Sequence, residues 1–190
     1  MGTPFYAVYP SVFGTFSIVW RETEAGPKIF RIFLSNERAS SEDLIHASIA
    51  GARHRSEPAM ADLAEHMQRF LRGEPIVFEL SATTITDCPE FQRRVLIAEY
   101  GIRRGWVSTY ALIAAHLGVK NGARAVGTAL ARNPFPIIIP CHRAIRSDGR
   151  LGGYQGGLAM KRALLGLEGI HVSADGRVVS DRVWYADEKP

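Results

Sequence analysis

Cysteine is scarce in this chain: 190 residues contain two, Cys88 and Cys141. Two thiols form at most one disulfide, and neither stands in a C-x-x-C pair. That excludes a disulfide scaffold and a cysteine-rich zinc site, and it fits a reducing compartment. Long apolar runs are missing too, since none approaches the ~18 residues of a membrane span. The N-terminus has no charged stretch leading into an apolar one. The expectation is no membrane span, no secretory signal and a cytoplasmic location, at the nucleoid or in the nucleus according to cell type. What remains is an ordinary globular composition, 46% hydrophobic and 22% charged. The length suits one large domain or two small ones.

Acid is the third shortage, and it is local. Residues 91–170 hold only Glu99, Asp148 and Glu168 against 12 Lys and Arg, a net charge of +9 in a chain that totals +4. The remainder is therefore net acidic. Solvated helix faces explain scattered charge but not this segregation, which fits a module that binds a polyanion such as nucleic acid.

In the first half, residues 13–21 and 28–34 are β-rich and the intervening ETEAGP is a turn signal, so a hairpin is expected. Residues 42–52 read as a short helix with Ser41 as its N-cap. Met60, Leu63, His66/Met67 and Phe70/Leu71 recur at spacings of three and four before Gly73, which predicts a helix over 58–72. IVFEL at 76–80 reads as a strand. Residues 1–84 thus form an α/β domain without a catalytic constellation. His46, His54 and His66 lack ligand spacing, so no metal and no cofactor are expected.

The second domain, 85–190, reads as mainly helical. A helix is expected over 91–100. In STYALIAAHLGVKNGARAVGTALARNP (108–134), Ser108 or Thr109 caps a helix to about 117 and Gly118 stops it. A second helix runs from 123 to about 132 and ends at Asn133-Pro134. Two short helices about a Gly-containing turn make a helix-turn-helix pattern. The second helix presents small residues, Ala123, Ala125, Gly127 and Ala129, with Arg124 near its start where it can reach bases. Helix–helix packing through alanines explains the same sequence.

After that pair comes PIIIP (136–140), read as a strand, and then Cys141-His142-Arg143. A thiol needs a neighbouring base or positive charge to act as a nucleophile at neutral pH. Side chains alternate along an extended segment, so contact between Cys141 and His142 would pass through a water. A histidine base is usually oriented by a carboxylate, and the acids downstream before residue 170 are Asp148 and Glu168. An inert buried cysteine remains the alternative.

The run from RAVG through NP, PCHR and G-x-L-x-G-Y-x-G-G to Lys161 and LL-x-x-EG, residues 123–169, resembles the active-site domain of the O6-alkylguanine-DNA alkyltransferases (methylated-DNA–protein-cysteine methyltransferases). CPEFQRRVL (88–96) and STYALIA resemble the helices that precede it, while the N-terminal half agrees only in layout. The resemblance implies an α/β (more closely α+β) fold, with a ribonuclease H-like N-terminal domain and a winged helix-turn-helix-like C-terminal one. It implies a monomer that acts on double-stranded DNA carrying O6-alkylguanine, and on O4-alkylthymine as well.

Carried onto this sequence, the resemblance makes Cys141 the single-use alkyl acceptor, His142 its base through a water, and Glu168 the carboxylate behind that base. Asn133 would hold the turn before the active-site strand, and Tyr110 would donate to guanine N3. Arg124 would fill the stack left by a flipped nucleotide, with Ala123, Ala125, Gly127 and Thr109 at the DNA. Tyr154, Gln155, Gly153, Ala144 and Lys161 would form the base pocket. IRRGWVSTY departs from the family's I-P-x-G, and its Arg103 and Arg104 are expected to add phosphate contacts. Gln155 stands where some members have serine. Residues 171–190 extend past the family core and read as a hairpin plus tail. Two rivals stand beside this reading. One is a cysteine hydrolase using Cys141, His142 and Glu168; the other is a non-catalytic damage sensor or regulator of the same fold.

Overall fold

The computed structural model describes residues 2–186. Two compact units emerge: residues 1–87 together with 134–138, and residues 88–133 together with 139–190. The chain therefore passes once back into the first unit between Asn133 and Ile139.

The first unit is built on a meander of β1 (Phe5–Ser11), β2 (Gly14–Thr23) and β3 (Gly26–Leu34), with the two-residue β4 (Arg53–His54) parallel to β1. The sheet order is β3-β2-β1-β4. The predicted hairpin is β2–β3, with a bulge between Val19 and Trp20. β2 is central and buries Phe16 to Trp20 without interruption, the pattern of a strand covered on both faces. Helix α1 (Ser41–Ser48) sets Ile45 against Tyr6, Val19 and Phe33.

Three expectations change here. β1 was not foreseen. The cap of α1 is Ser40, whose hydroxyl accepts from Asp43 N while Asp43 accepts from Ser40 N, both at 3.1 Å. Ser41 instead points inward, accepting from the Ser17 hydroxyl at 2.8 Å. Helix α2 (Pro58–Leu71) forms as predicted, but IVFEL is not a strand. Val77 is 82% exposed there, and only Phe78 is buried, edge-on to Phe70.

The second unit contains α3 (Glu90–Tyr100), β5 (Ser108–Thr109), α4 (Tyr110–His116), α5 (Ala123–Ala131), β6 (Ala144–Ile145), α6 (Gly157–Leu167) and a hairpin of β7 (His171–Val172) and β8 (Val178–Val179). The helix-turn-helix appears as read. Thr109 caps α4 by accepting from Leu112 N at 3.1 Å, and Gly118 leaves the helix at φ +71°. Parallel pairing of Ser108 with Ala144 and Thr109 with Ile145 brings the start of α4 beside the end of the Cys141 turn. Val107, Ile145, Leu151, Leu165 and Ile170 form the core below it.

The C-terminal extension is tied to this core. Val107 N donates to Arg182 O and Trp184 N to Val107 O, at 3.0 and 2.7 Å, and the Tyr185 hydroxyl donates to Ala98 O at 2.8 Å. The Tyr185 ring stacks on His116. The last four residues of the expected tail, 187–190, lie outside the described residues. No helix among the described residues is long and apolar enough to cross a membrane.

Candidate active site

PIIIP is not the strand that its β-branched residues suggest. Ile137 takes a positive φ of 76°, and the chain turns there. For a β-branched residue this conformation costs of order 1–3 kcal/mol. Residues 134–138 belong to the first unit, where Ile32 N donates to Pro134 O at 2.8 Å. Asn133 closes the base of this excursion, its Nδ2 donating to Ile139 O at 3.2 Å.

Cys141, His142 and Arg143 form one 3-10 turn instead of an extended segment. Their side chains fan out about a helical axis instead of alternating, and all three are buried. Burial pushes the Cys141 thiol up to about 11, with a hydrogen bond from the Asn133 side chain and the charge of Lys161 working against the rise.

His142 Nε2 lies 2.9 Å from Glu168 Oε1. Glu168 caps the C-terminal end of α6, where the helix dipole disfavours a carboxylate. Arg143 compensates with a bidentate grip, Nε to Oε2 at 2.9 Å and Nη2 to Oε1 at 2.8 Å, while its Nη1 donates to Ile102 O. Burial works to raise the Glu168 pKa, but the hydrogen bonds from His142 and Arg143 outweigh it and hold the carboxyl at about 2. An ionised carboxylate only accepts, so His142 donates Nε2–H and its basic nitrogen is Nδ1. Burial lowers the His142 pKa, with Glu168 opposing, so the ring is neutral at physiological pH.

A cavity of about 1040 Å³ opens over the thiol, lined among others by Cys141, Tyr110, Tyr154, Gln155 and, from α5, Arg124 and Gly127. Burial pushes the Tyr110 hydroxyl to about 12, so it stays a donor. Burial also raises Tyr154, whose hydroxyl has no hydrogen-bond partner among the described residues. Gly152 sits at φ +69°, and a Cβ added there would lie 2.5 Å from the Tyr110 phenol oxygen, too close for any side chain. Only glycine lets this wall close on the ring. Gln155 donates to Asn133 O at 2.6 Å, tying the wall to the end of α5.

The cavity thus gathers Cys141, Tyr110, Arg124, Ala123, Gly127, Gly153, Tyr154 and Gln155 from the sequence-predicted set, while Ala125 lines a second cavity, of about 950 Å³, on α5. Others lie elsewhere. Lys161 does not line the pocket; it is fully buried behind the wall, donating to Ala144 O and Leu151 O at 2.6 and 2.5 Å. Ala144 is buried too and contributes that carbonyl. Arg103 lies over the Trp184 ring and Arg104 donates to Leu167 O at 2.6 Å, so neither lines either cavity. Thr109 spends its hydroxyl on the α4 cap.

Among the residues missed are Arg143 and Arg146. Arg143 was read only as a neighbour of the thiol, although a lone acid in an apolar helix end demands a cation nearby. Arg146 lines the cavity opposite no sequence signal that distinguished it from other arginines. Among the described residues no cluster of His, Cys, Asp and Glu is arranged to hold a metal ion.

The family described as 6-O-methylguanine DNA methyltransferase, DNA binding domain, matches residues 90–170. The methylated-DNA–protein-cysteine methyltransferase of Methanothermobacter thermautotrophicus is 47% identical over 117 residues, 60% of this chain and 65% of that protein, just short of two thirds of its length. The protein of the same name from Mycobacterium bovis is 48% identical over 62% of this chain and 70% of its own. Mycobacterium tuberculosis OGT, solved in complex with DNA, superposes with a TM-score of 0.69 at 28% identity, covering 87% of this chain and 93% of that one. This chain belongs to the methylated-DNA–protein-cysteine methyltransferase family.

Proposed function

We propose that this chain repairs duplex DNA by taking the alkyl group from O6 of guanine, and by the same chemistry from O4 of thymine, onto Cys141, each molecule acting once. The observation that carries this reading is a single cavity lined by a buried thiol, a phenol held protonated and the arginine of a helix-turn-helix. The net charge of +9 over residues 91–170 supports a duplex as partner. So does the DNA complex of the M. tuberculosis relative.

A thiol with a pKa of about 11 is ionised in only about one molecule in ten thousand at pH 7. The proton must therefore leave in place. His142 Nδ1 takes it through a water, and Glu168, itself fixed by Arg143, stabilises the imidazolium. The S–C bond forms as the C–O6 bond breaks, and the electron pair passes to the guanine. Tyr110 gives its proton to N3 and recovers one from His142, so the products are S-alkylcysteine and neutral guanine. Nothing regenerates the thiol.

A paired base cannot reach a buried sulfur, so the nucleotide is flipped out at a cost of a few kcal/mol. Arg124, at the start of α5, occupies the vacated stack from the minor groove, where the alanines and Gly127 allow close approach. Incubation with a duplex containing one O6-methylguanine should add one methyl to the peptide that bears Cys141. Binding without a change of mass would refute the reading.

A further inference from the structure

The family match ends at residue 170, and the β7–β8 hairpin that follows it is anchored beside the Cys141 cavity. Arg146, Ser147 and Asp148 line that cavity. They belong to a turn in which Gly149 N donates to Arg146 O at 3.0 Å. The hairpin extends this turn: Val178 N donates to Gly149 O at 2.8 Å, and Arg150 pairs with Arg177 in an antiparallel bridge. Residues opposite each other in such a bridge project from one face with their Cβ atoms about 5 Å apart, where like charges repel. The Arg177 guanidinium reaches back to the rim, its Nη1 donating to Asp148 O at 2.8 Å.

Arg146, Arg150 and Arg177 thus meet at one lip of the cavity. Two acids share the cluster, Asp148 at 3.2 Å from Arg146 Nη2 and Asp175 at 3.1 Å from Arg177 Nε, which leaves an excess of positive charge. The Arg146 and Arg177 side chains are 56% and 48% exposed, so water screens these pairs and they hold the arginines weakly. A phosphate offers the guanidinium fork two oxygens and a full charge in their place.

We propose that the β7–β8 hairpin is a second DNA contact of this chain, in which Arg177 and Arg150 each hold a backbone phosphate beside the flipped nucleotide, on a lip of the cavity that α5 does not form. The proposal rests on the cavity receiving that nucleotide. A base held over Cys141 leaves its own phosphates at the mouth, and the strand brings further charges at one per about 3.4 Å of helix axis.

The test is binding of an undamaged duplex, followed by fluorescence anisotropy at about 50–200 mM salt. Arg177→Gln keeps a donor for Asp148 O and loses the charge. It should reduce the slope of log K against log salt by about 0.9 and weaken binding about eightfold at about 0.1 M salt. Adding Arg150→Gln should remove about 0.9 more. Arg177→Lys retains the charge and should keep the slope of the wild type. An unchanged slope in Arg177→Gln, or a loss in Arg177→Lys as large as in Arg177→Gln, would overturn the proposal. The duplex carries no alkyl group, so the two readings fail separately. If the wild type takes nothing from O6-benzylguanine, the functional reading falls while the salt slopes still judge the hairpin.

Discussion

Within residues 2–87 the buried polar side chains are hydroxyls, those of Ser17, Ser41 and Thr83; in the helical unit they include Glu99, His142, Arg143, Lys161 and Glu168. The sheet unit keeps its ion pairs, such as Arg69 with Glu74, at the surface, where each is worth about 0–1 kcal/mol. Its stability comes from apolar burial around β2. The helical unit removes several charges from water, a net cost unless each is matched and hydrogen-bonded. Fixed, desolvated groups are what a thiol and a leaving base require, so the cost falls where the chemistry lies.

This contrast can be broken at the Glu168 network first. Glu168→Gln leaves the Arg143 guanidinium buried without its carboxylate. Denaturant melts should record a loss of about 3–5 kcal/mol, and alkylation by free O6-benzylguanine should slow about a hundredfold. A variant as stable and reactive as wild type would remove the distinction between the units.

Acid sharpens the same point. The Glu168 carboxyl lies at about 2 when folded, below its ordinary value. Its contribution is therefore complete above about pH 4.5 and lost as pH falls toward 2, up to roughly 3 kcal/mol. His142 is lowered as well, so the unfolded chain binds its proton more readily, and stability declines below about pH 6.5. Both effects have one sign, but the buried Glu99 carboxyl, pushed up to about 8, opposes them between about pH 8 and 4.5, so the fall in melts should become clear only below about pH 4.5. The alkylation rate should stay level between pH 7.5 and 6.5 and drop at lower pH. A steep rise between pH 8 and 9 would mean that the thiol ionises unaided.

Arg124→Ala separates DNA handling from chemistry within the helical unit. Repair of a duplex should slow at least about tenfold, on the scale of a flipping cost of a few kcal/mol, while the free base reacts as before. Equal loss on both would argue against a role in flipping. The smallest effect belongs to the sheet unit: Ser40→Ala removes the α1 cap and should cost about 1 kcal/mol in melts with no change in rate.

The legible parts of the fold were those with local causes. α2 announced itself through its apolar spacing and Gly73, and α4 and α5 through Thr109, Gly118 and Asn133-Pro134. IVFEL and PIIIP have β-forming residues, yet neither is a strand. β-propensity expresses a fit to neighbouring strands; Val77 lies open to solvent and Ile137 is turned by its surroundings. At the site, Cys141, His142 and Glu168 could be placed from motif spacing. The grip of Arg143 on Glu168 spans 25 residues, and the burial of Glu99 and Lys161 depends on how α3 and α6 meet the turn between them. Such pairings leave no periodic trace in a sequence.

In the proposed reaction Cys141 accepts one alkyl group and is spent. Duplex DNA carrying radiolabelled O6-methylguanine, supplied in excess, should transfer label until it reaches one methyl per chain and then stop. Label released past that plateau, or a Cys141→Ser variant that still acquires it, would contradict the account.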